Sequence, residues 1–422
     1  MTFRKAVFWA HLAVGVTAGF VIAVMCFTGT TLAFEKQIVA WAERDARQVT
    51  PPAPGAPRLS LDELQRKFRE ARPDLRPSAI TVSADSRDAV IFTIGREGLY
   101  HLNPYTGEVR QPASTKARDF MRLMTDWHRW LALSDTNRPT GKAVTGACNL
   151  AFLFLAVSGL YLWWPRKWRT KGLRRSLWFL RDAHGHARDW NWHNVIGFWF
   201  LPVLIVLTAS GAVISFRWAG DLVYKAAGET PPVQGGPGAP AIELPKPPEG
   251  THPLGYDALL TAVQMAAPGA ELITFRLGGS GPRGGGPAVQ RPTGESRRET
   301  PAGNTEPRRG EGRSPQAVSV TVKLPGTWPR TATTTLSLDP FTGNVLKREG
   351  FTDFSTGRQA RTWLRFLHTG EALGLAGQFV AGLACLGGCF LVYTGFALAW
   401  RRFINPNGKK QPAPAAPSAS VG

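Results

Sequence analysis

Four of the eight histidines lie in or beside long apolar stretches, where ionisable side chains are rare and usually functional. His11 and His193 stand near the starts of the first and third stretches, and His128 and His368 precede the second and fourth. Neutral imidazole is a common protein ligand for metal ions and haem iron. The positions therefore predict an inner pair (His11 and His193) and an outer pair (His128 and His368), each able to hold a haem iron between two segments.

Two glycines follow each inner histidine at the same offsets, 4 and 18 residues. They are Gly15 and Gly29 after His11, and Gly197 and Gly211 after His193. Because a helix turns 100° per residue, both offsets return to nearly the same helix face. The second glycine should lie about 27 Å along the helix from its histidine. We therefore expect each helix to line one haem beside its histidine and a second haem at the opposite membrane depth.

The same residues allow two other interpretations. Interfacial histidines could stand beside small residues that serve only helix packing. A zinc site is a weaker alternative, because no cysteine or carboxylate accompanies the pairs at ligand spacing. The chain has no Cys-x-x-Cys-His motif, which excludes covalently attached c-type haem. The pairing of four histidines favours two non-covalent haems.

Four uncharged runs of about 23 to 29 residues carry these histidines or follow them. They cover residues 6–34, 143–165, 190–216 and 372–400. Each is longer than the roughly 20 residues that cross a bilayer as a helix, so we predict four transmembrane helices. The first run is too long for the core of a cleaved signal peptide and is expected to be an uncleaved anchor.

The net charge of +20 is concentrated at one end of the predicted bundle. Basic residues precede the first run, crowd the loop 166–189 and begin the tail 401–422. The positive-inside rule then places both termini and this loop in the cytoplasm. The charge is thus explained by a lipid bilayer, and no nucleic-acid partner is expected. The four cysteines all lie within the runs, so no disulfide framework is expected.

The two loops on the other side each predict a small α+β domain, at residues 58–112 and 254–350. The turn NPYTGEV at 103–109 matches DPFTGNV at 339–345, and SGLYLWWPR matches TGFALAWRR at the ends of the second and fourth runs. The chain therefore reads as a tandem duplication with two spans in each half and both halves in the same orientation. The second domain carries an insertion, 278–315, whose composition predicts disorder.

The other histidines and several cations have weaker interpretations. His101 and His252 are expected to be surface residues. His184 and His186 could take part in electron entry or contact haem propionates, although solvated loop residues are the simpler interpretation. Arg129, Lys142 and Arg365 near the outer pair, and Arg188 and Arg401 near the inner pair, are candidates to bind propionates.

The motifs HLAVGVTAGF, TGACNLAFLFLAVSGLYLWWPR, WHNVIGFW and LHTGEALGLAG, with the two turns, resemble the PepSY-associated transmembrane family of bacterial inner-membrane proteins. Many members accompany iron uptake, and some are ferric-siderophore reductases. The resemblance implies two periplasmic PepSY domains and b-type haems bound between helices. It carries ligand roles to His11, His193, His128 and His368.

Together these observations predict a four-helix, di-haem oxidoreductase that passes electrons from the cytoplasmic side or the quinol pool to a periplasmic ferric siderophore. The Gly-x-Gly-x-x-Gly match at 279–284 lies in the insertion 278–315 and opens no predicted helix, so no nicotinamide site is indicated and the donor, a quinol or a cytoplasmic reductase, should be separate. One alternative is a non-enzymatic PepSY sensor, inhibitor or iron-uptake accessory protein. A transporter is disfavoured because the runs lack the acidic residues and broken helices of midplane sites.

Overall fold

The computed structural model describes residues 2–95, 98–165, 170–232, 242–245, 247–248, 250–277 and 315–404. The predicted insertion and tail lie outside these ranges, apart from residues 315 and 401–404. The helices are α1 (Phe3–Leu32), α2 (Glu35–Ala42), α3 (Arg44–Arg47), α4 (Leu61–Ala71), α5 (Lys116–Trp130), α6 (Arg138–Trp163), α7 (Thr170–Leu177), α8 (Gly185–Ser215), α9 (Arg217–Ala226), α10 (Tyr256–Ala266), α11 (Thr356–His368) and α12 (Leu375–Phe403). The strands are β1 (Ala79–Ser83), β2 (Val90–Ile94), β3 (Gly98–Leu102), β4 (Val109–Arg110), β5 (Leu272–Arg276), β6 (Val318–Lys323), β7 (Thr334–Leu338) and β8 (Val345–Glu349).

Helices α1, α6, α8 and α12 are long and apolar enough to cross a membrane, which confirms the prediction of four spans. Their ends differ from the apolar runs. Helix α8 begins at Gly185, inside the predicted loop 166–189, and α12 continues to Phe403. Backbone hydrogen bonding extends a helix beyond its apolar part, whereas hydropathy detects only that part. The predicted loop also contains α7.

The four spans form a closed ring. Helix α1 packs against α6 and α12, and α8 packs against the same two helices, so α1 and α8 stand diagonally opposite. Small residues allow close approach at the contacts: a β-carbon added to Gly388 would lie 2.6 Å from Cys26 Sγ, and one added to Gly387 would lie 2.5 Å from Phe200 Cδ2. Lipid tails are as apolar as the side chains, so the hydrophobic effect does not drive these helices together. Close packing at small residues stabilises their association instead.

The two predicted α+β domains share one antiparallel sheet of eight strands, in the order β4-β3-β2-β1-β5-β6-β7-β8. Strand β1 pairs with β5, with Thr81 opposite Thr274 at the centre. Alternate residues of the strands pack against α4 and α10 on one face in a single apolar core. The predicted domains are therefore joined edge to edge, which protects two strand edges that would otherwise be unpaired.

The two turns that matched in sequence have the same hydrogen bonds. Asn103 Oδ1 accepts from Tyr105 N at 2.9 Å, and Asp339 Oδ1 accepts from Phe341 N at 2.8 Å. Gly107 and Gly343 both have φ +75°, a left-handed conformation that glycine adopts at little cost. These turns end the third strand of each domain at equivalent positions.

Helices α4 and α10 begin side by side and cap each other. Asp257 of α10 accepts from Leu61 N at 2.7 Å, and Asp62 of α4 accepts from Tyr256 N at 2.8 Å. Ser60, the N-cap of α4, also accepts from Glu63 N at 3.1 Å. The residue before α10 is Gly255, which has no capping side chain. Asp62 therefore has a larger share in capping α10 than Asp257 has in capping α4.

Candidate functional site

The four histidines of interest meet in the two pairs that the sequence predicts. The inner pair joins α1 to the diagonally opposite α8, with the ring centroids of His11 and His193 6.5 Å apart and the ring planes at 82°. In the outer pair, the centroids of His128 and His368 are 6.4 Å apart and the planes are at 58°. All four rings are half-buried.

The outer histidines lie on short helices that pack against the spans. His128 belongs to α5, a helix separate from the second span that packs against α1 and α6. His368 is the last residue of α11 and not part of a helix continuous with the fourth span. Gly370 and Gly374, with φ +72° and +66°, break the chain between α11 and α12.

Each histidine uses Nδ1 to contact a hydroxyl group on a span. The Nδ1–oxygen distances are 2.8 Å for His11 and Ser158, 2.9 Å for His193 and Thr394, 3.0 Å for His128 and Thr28, and 3.2 Å for His368 and Ser210. Nδ1 of His128 also lies 3.0 Å from the Met25 carbonyl oxygen, and Nδ1 of His368 lies 2.9 Å from that of Leu207. A carbonyl oxygen can only accept, so the outer histidines carry their proton on Nδ1 and leave the Nε2 lone pair free.

A glycine follows each of these hydroxyl residues and contacts the same imidazole. β-carbons added to Gly159, Gly395, Gly29 and Gly211 would lie 3.4, 3.6, 3.4 and 3.2 Å from Cε1 of His11, His193, His128 and His368, respectively. The sequence assigned Gly29 and Gly211 to the wall of a distant haem, whereas the structure places them directly against the outer rings. The Ser/Thr-Gly dipeptide that recurs in every span was the missed signal for Ser158, Thr394, Thr28 and Ser210.

A cavity of about 2090 Å³ opens beside the inner pair and is lined by both of its histidines. Gly15 and Gly197 also line it, and the nearest atoms to β-carbons added there are Leu155 Cδ2 at 3.9 Å and Leu391 Cδ2 at 3.6 Å. Both glycines therefore border the cavity, and a β-carbon at either position would make only ordinary van der Waals contact. The outer pair does not line this cavity.

A buried carboxylate organises the cations at the inner end. Asp189 is 1% exposed and pairs with Arg188 and Arg401, each at 2.9 Å. This contact ties the start of α8 to the end of α12. Arg401 lines the cavity, as do His184 and His186. Two of the predicted propionate partners are thus held by an acidic residue that the sequence reading did not single out.

The cations predicted near the outer pair are less organised. The Arg129 guanidinium lies over the Trp130 ring at 4.6 Å. Lys142 and Arg365 are exposed. Within the described part of the chain, none of these three side chains forms a hydrogen bond or a ring contact with the outer histidines.

The expectation that His101 lies on the surface is wrong. Its side chain is fully buried on β3, and neither ring nitrogen has a hydrogen-bond partner among the described residues. It faces the side of the sheet not covered by α4 and α10, where Glu43 accepts from Arg118 and Arg47. Burial, with Arg47 and Arg118 nearby, lowers the pKa of His101 to about 4. His252 is exposed, as predicted.

The donor set and spacing fit a haem better than a small metal site. Two nitrogen ligands, each roughly 2 Å from a metal ion, place their ring centres roughly 6 Å apart, close to the separations in both pairs. Within the described residues, no group of three or more His, Cys, Asp or Glu side chains could hold a metal ion. Each site thus offers two imidazoles, the number that axial haem ligation requires, and the inner site adds a cavity larger than the roughly 300–1,000 Å³ of ordinary ligand pockets.

Comparison with known proteins agrees with this architecture. The family described as the PepSY-associated TM region matches residues 8–402, which include nearly all of the four spans and all four paired histidines. None of the curated proteins compared with the chain matches it. The match extends over nearly the whole chain, and this multi-pass membrane protein therefore belongs to the PepSY-associated transmembrane family.

Proposed function

We propose that this protein is a di-haem, b-type oxidoreductase of the bacterial inner membrane. It passes electrons from the cytoplasmic side or the quinol pool to a ferric siderophore in the periplasm. The observation that carries the proposal is that the histidines form two pairs. In each pair the ring centroids lie 6.4 to 6.5 Å apart, and Nδ1 of each ring contacts an oxygen atom of a span. Two such pairs near opposite ends of one bundle are what a transmembrane electron path needs.

The residues of the chain have distinct roles in this function. The inner and outer pairs would each hold one b-type haem, which supplies a one-electron carrier tuned by its axial ligands and surroundings. Gly15 and Gly197 border the cavity beside the inner histidines. Apolar side chains of the four spans exclude water along the roughly 30 Å between the two membrane surfaces.

The proposed substrate follows from the outer position of the second pair. A siderophore binds Fe(III) through hard oxygen ligands, which suit Fe(II) less well, so reduction favours release of the metal. The shared sheet would lie on the same side of the membrane as the outer pair and would present the surface on which a chelate docks. The electron donor is a separate molecule on the opposite side.

The first test is the absorption spectrum of the purified protein before and after reduction with dithionite. We expect Soret and α bands and two haems per chain. His11→Ala and His193→Ala should each remove about half of the haem, because the other pair is untouched, and His252→Ala should remove none. A protein without these bands after haem-replete expression would instead support the non-enzymatic sensor or accessory role.

The second test concerns the substrate. Dithionite-reduced protein, freed of excess reductant, should be reoxidised by a ferric hydroxamate siderophore, with Fe(II) trapped by a colorimetric chelator. His368→Ala should abolish this reaction while the inner haem remains reducible. Haem-loaded protein that reacts with none of a panel of ferric siderophores would contradict the assignment of substrate but not that of the cofactor.

A further inference from the structure

The four Ser/Thr-Gly dipeptides make the same two contacts with four different histidines. In each, the hydroxyl oxygen lies at hydrogen-bond distance from Nδ1, and the following glycine contacts Cε1. The imidazole is thus held along one edge by a span, and its Nε2 is left for another partner. We call each dipeptide with its histidine a hydroxyl–glycine cradle.

The direction of the hydrogen bond follows from what the hydroxyl does with its only proton. Thr394 Oγ1 donates to the Phe390 carbonyl at 2.8 Å, and Thr28 Oγ1 donates to that of Val24 at 2.7 Å. Ser210 Oγ donates likewise to Val206 at 2.6 Å. A hydroxyl that has given its proton to the backbone can only accept from the ring. In these three cradles the proton therefore stays on Nδ1; Ser158 Oγ can donate in the same way to the Leu155 carbonyl at 3.4 Å and accept from Nδ1 of His11 at 2.8 Å.

We infer that Ser158, Thr394, Thr28 and Ser210 are positioning residues that keep the four histidines as Nε2 ligands and strengthen them as electron donors. The inference rests on the proposed function. When a ligand histidine donates the N–H of its other ring nitrogen to an acceptor, its tautomer and ring orientation are fixed and it becomes a more basic ligand. A more basic axial ligand stabilises the oxidised iron and lowers the midpoint potential of its haem.

The cradles differ in how many acceptors Nδ1 has, and this difference predicts how much the loss of each hydroxyl matters. Nδ1 of His128 and of His368 has a backbone carbonyl as a second acceptor. For His193, the hydrogen bond that the structure describes is the one to Thr394. The hydrogen bond of His11 described by the structure is the one to Ser158. Ser158 and Thr394 are therefore the hydroxyls whose loss leaves a histidine without a described acceptor, whereas Thr28 shares its role with Met25.

The experiment is a potentiometric titration of the full-length, haem-loaded protein, followed in the α band. We expect Ser158→Ala to raise the midpoint potential of one of the two components while haem content stays complete. Ser158→Thr keeps the hydroxyl and should titrate like the wild type, since threonine occupies the equivalent position 394 in the second half. Thr28→Val should change the midpoint potential of the haem bound by His128 less than Ser158→Ala changes that of the haem bound by His11, because the Met25 carbonyl still accepts from His128.

Two results would overturn the inference. One is a haem-loaded Ser158→Ala protein whose two midpoints equal those of the wild type; the other is a Thr28→Val shift as large as that of Ser158→Ala. Should Ser158→Ala not accumulate, Thr394→Val carries the same test at His193, with unchanged midpoints again counting against the inference. A wild-type protein without haem contradicts the proposed function itself, so the two failures are distinguishable.

Discussion

At the scale of single residues, the protein contains buried imidazoles in two different settings. The four paired histidines have their Nδ1 atoms engaged by the spans, whereas His101 has no hydrogen bond from either nitrogen among the described residues. Glu43, Arg47, Arg118 and Asp45 are the charged groups around it. A buried ring without partners is held neutral, and its proton balance must change when the domain unfolds.

The setting of His101 predicts that stability depends on pH. Its pKa is lowered to about 4 in the folded protein, from about 6.5 when unfolded, so between these values the unfolded chain binds more protons. Stability is complete above about pH 6.5 and falls as the pH drops towards 4, by at most about 3 kcal/mol from this residue. Thermal unfolding in detergent across this range should show a weaker pH dependence for His101→Leu than for the wild type. Equal slopes in the two proteins would contradict this account.

At the scale of elements, the reciprocal caps of α4 and α10 connect the two halves of the sheet domain. Each aspartate accepts hydrogen bonds from the first turn of the other helix, and the positive ends of the two helix dipoles offset the repulsion between the carboxylates. A β-carbon added to Gly255 would lie 2.3 Å from Asp62 Oδ2. Glycine at this position is therefore what lets Asp62 approach the start of α10.

The caps predict unequal effects of two similar substitutions. Asp62→Ala should lower the free energy of unfolding by about 1–2 kcal/mol, because Gly255 cannot replace the lost cap. Asp257→Ala should cost less, because Ser60 still caps α4. Asp74→Ala, which removes an exposed pair with Arg72, is the control and should leave the free energy of unfolding nearly unchanged, because water and salt screen such a pair. Chemical denaturation would measure all three, and a larger loss for Asp257→Ala would refute the ranking.

The elements also show where sequence reasoning reached its limit. The spans were predictable because apolar length is a local property, and the two histidine pairs because the repeat placed them at matched depths. The cradles could not be predicted, although each dipeptide is visible in the sequence. Ser158 and His11 are 147 residues apart in the chain, and they meet only because the four spans form a ring. The β1–β5 pairing was likewise hidden, since its register joins residues of separate loops.

At the scale of the whole molecule, the two ends of the bundle differ, because one carries basic residues and the other carries the sheet. Arg4, Lys5, Arg401 and Arg402 lie at the end that carries the termini, and the eight-stranded sheet belongs to the two connections at the other end. The positive-inside rule predicts that the first end is cytoplasmic. The outer pair would then be periplasmic.

This orientation predicts the outcome of cysteine labelling. Thr342 is exposed in the sheet domain, and Ile404 is 61% exposed just beyond α12. In spheroplasts, a membrane-impermeant maleimide should label Thr342→Cys, whereas Ile404→Cys should react only after lysis. The four native cysteines lie in the spans, and the unsubstituted protein measures their background. The reverse pattern would invert the proposed direction of electron flow.

The pairing of β1 with β5 is symmetric about its centre. Ala79 faces Arg276 and Ser83 faces Leu272 around the central Thr81–Thr274 pair, which is the arrangement of an isologous dimer interface, in which two copies present the same strand to each other. Each half also cradles its own histidines, while every histidine pair takes one ring from each half. A single half therefore contains the contacts from which a symmetric homodimer with both sites could be built. If two such halves are joined covalently, each can change alone, so that under the proposed function one site could be tuned to a donor and the other to an acceptor.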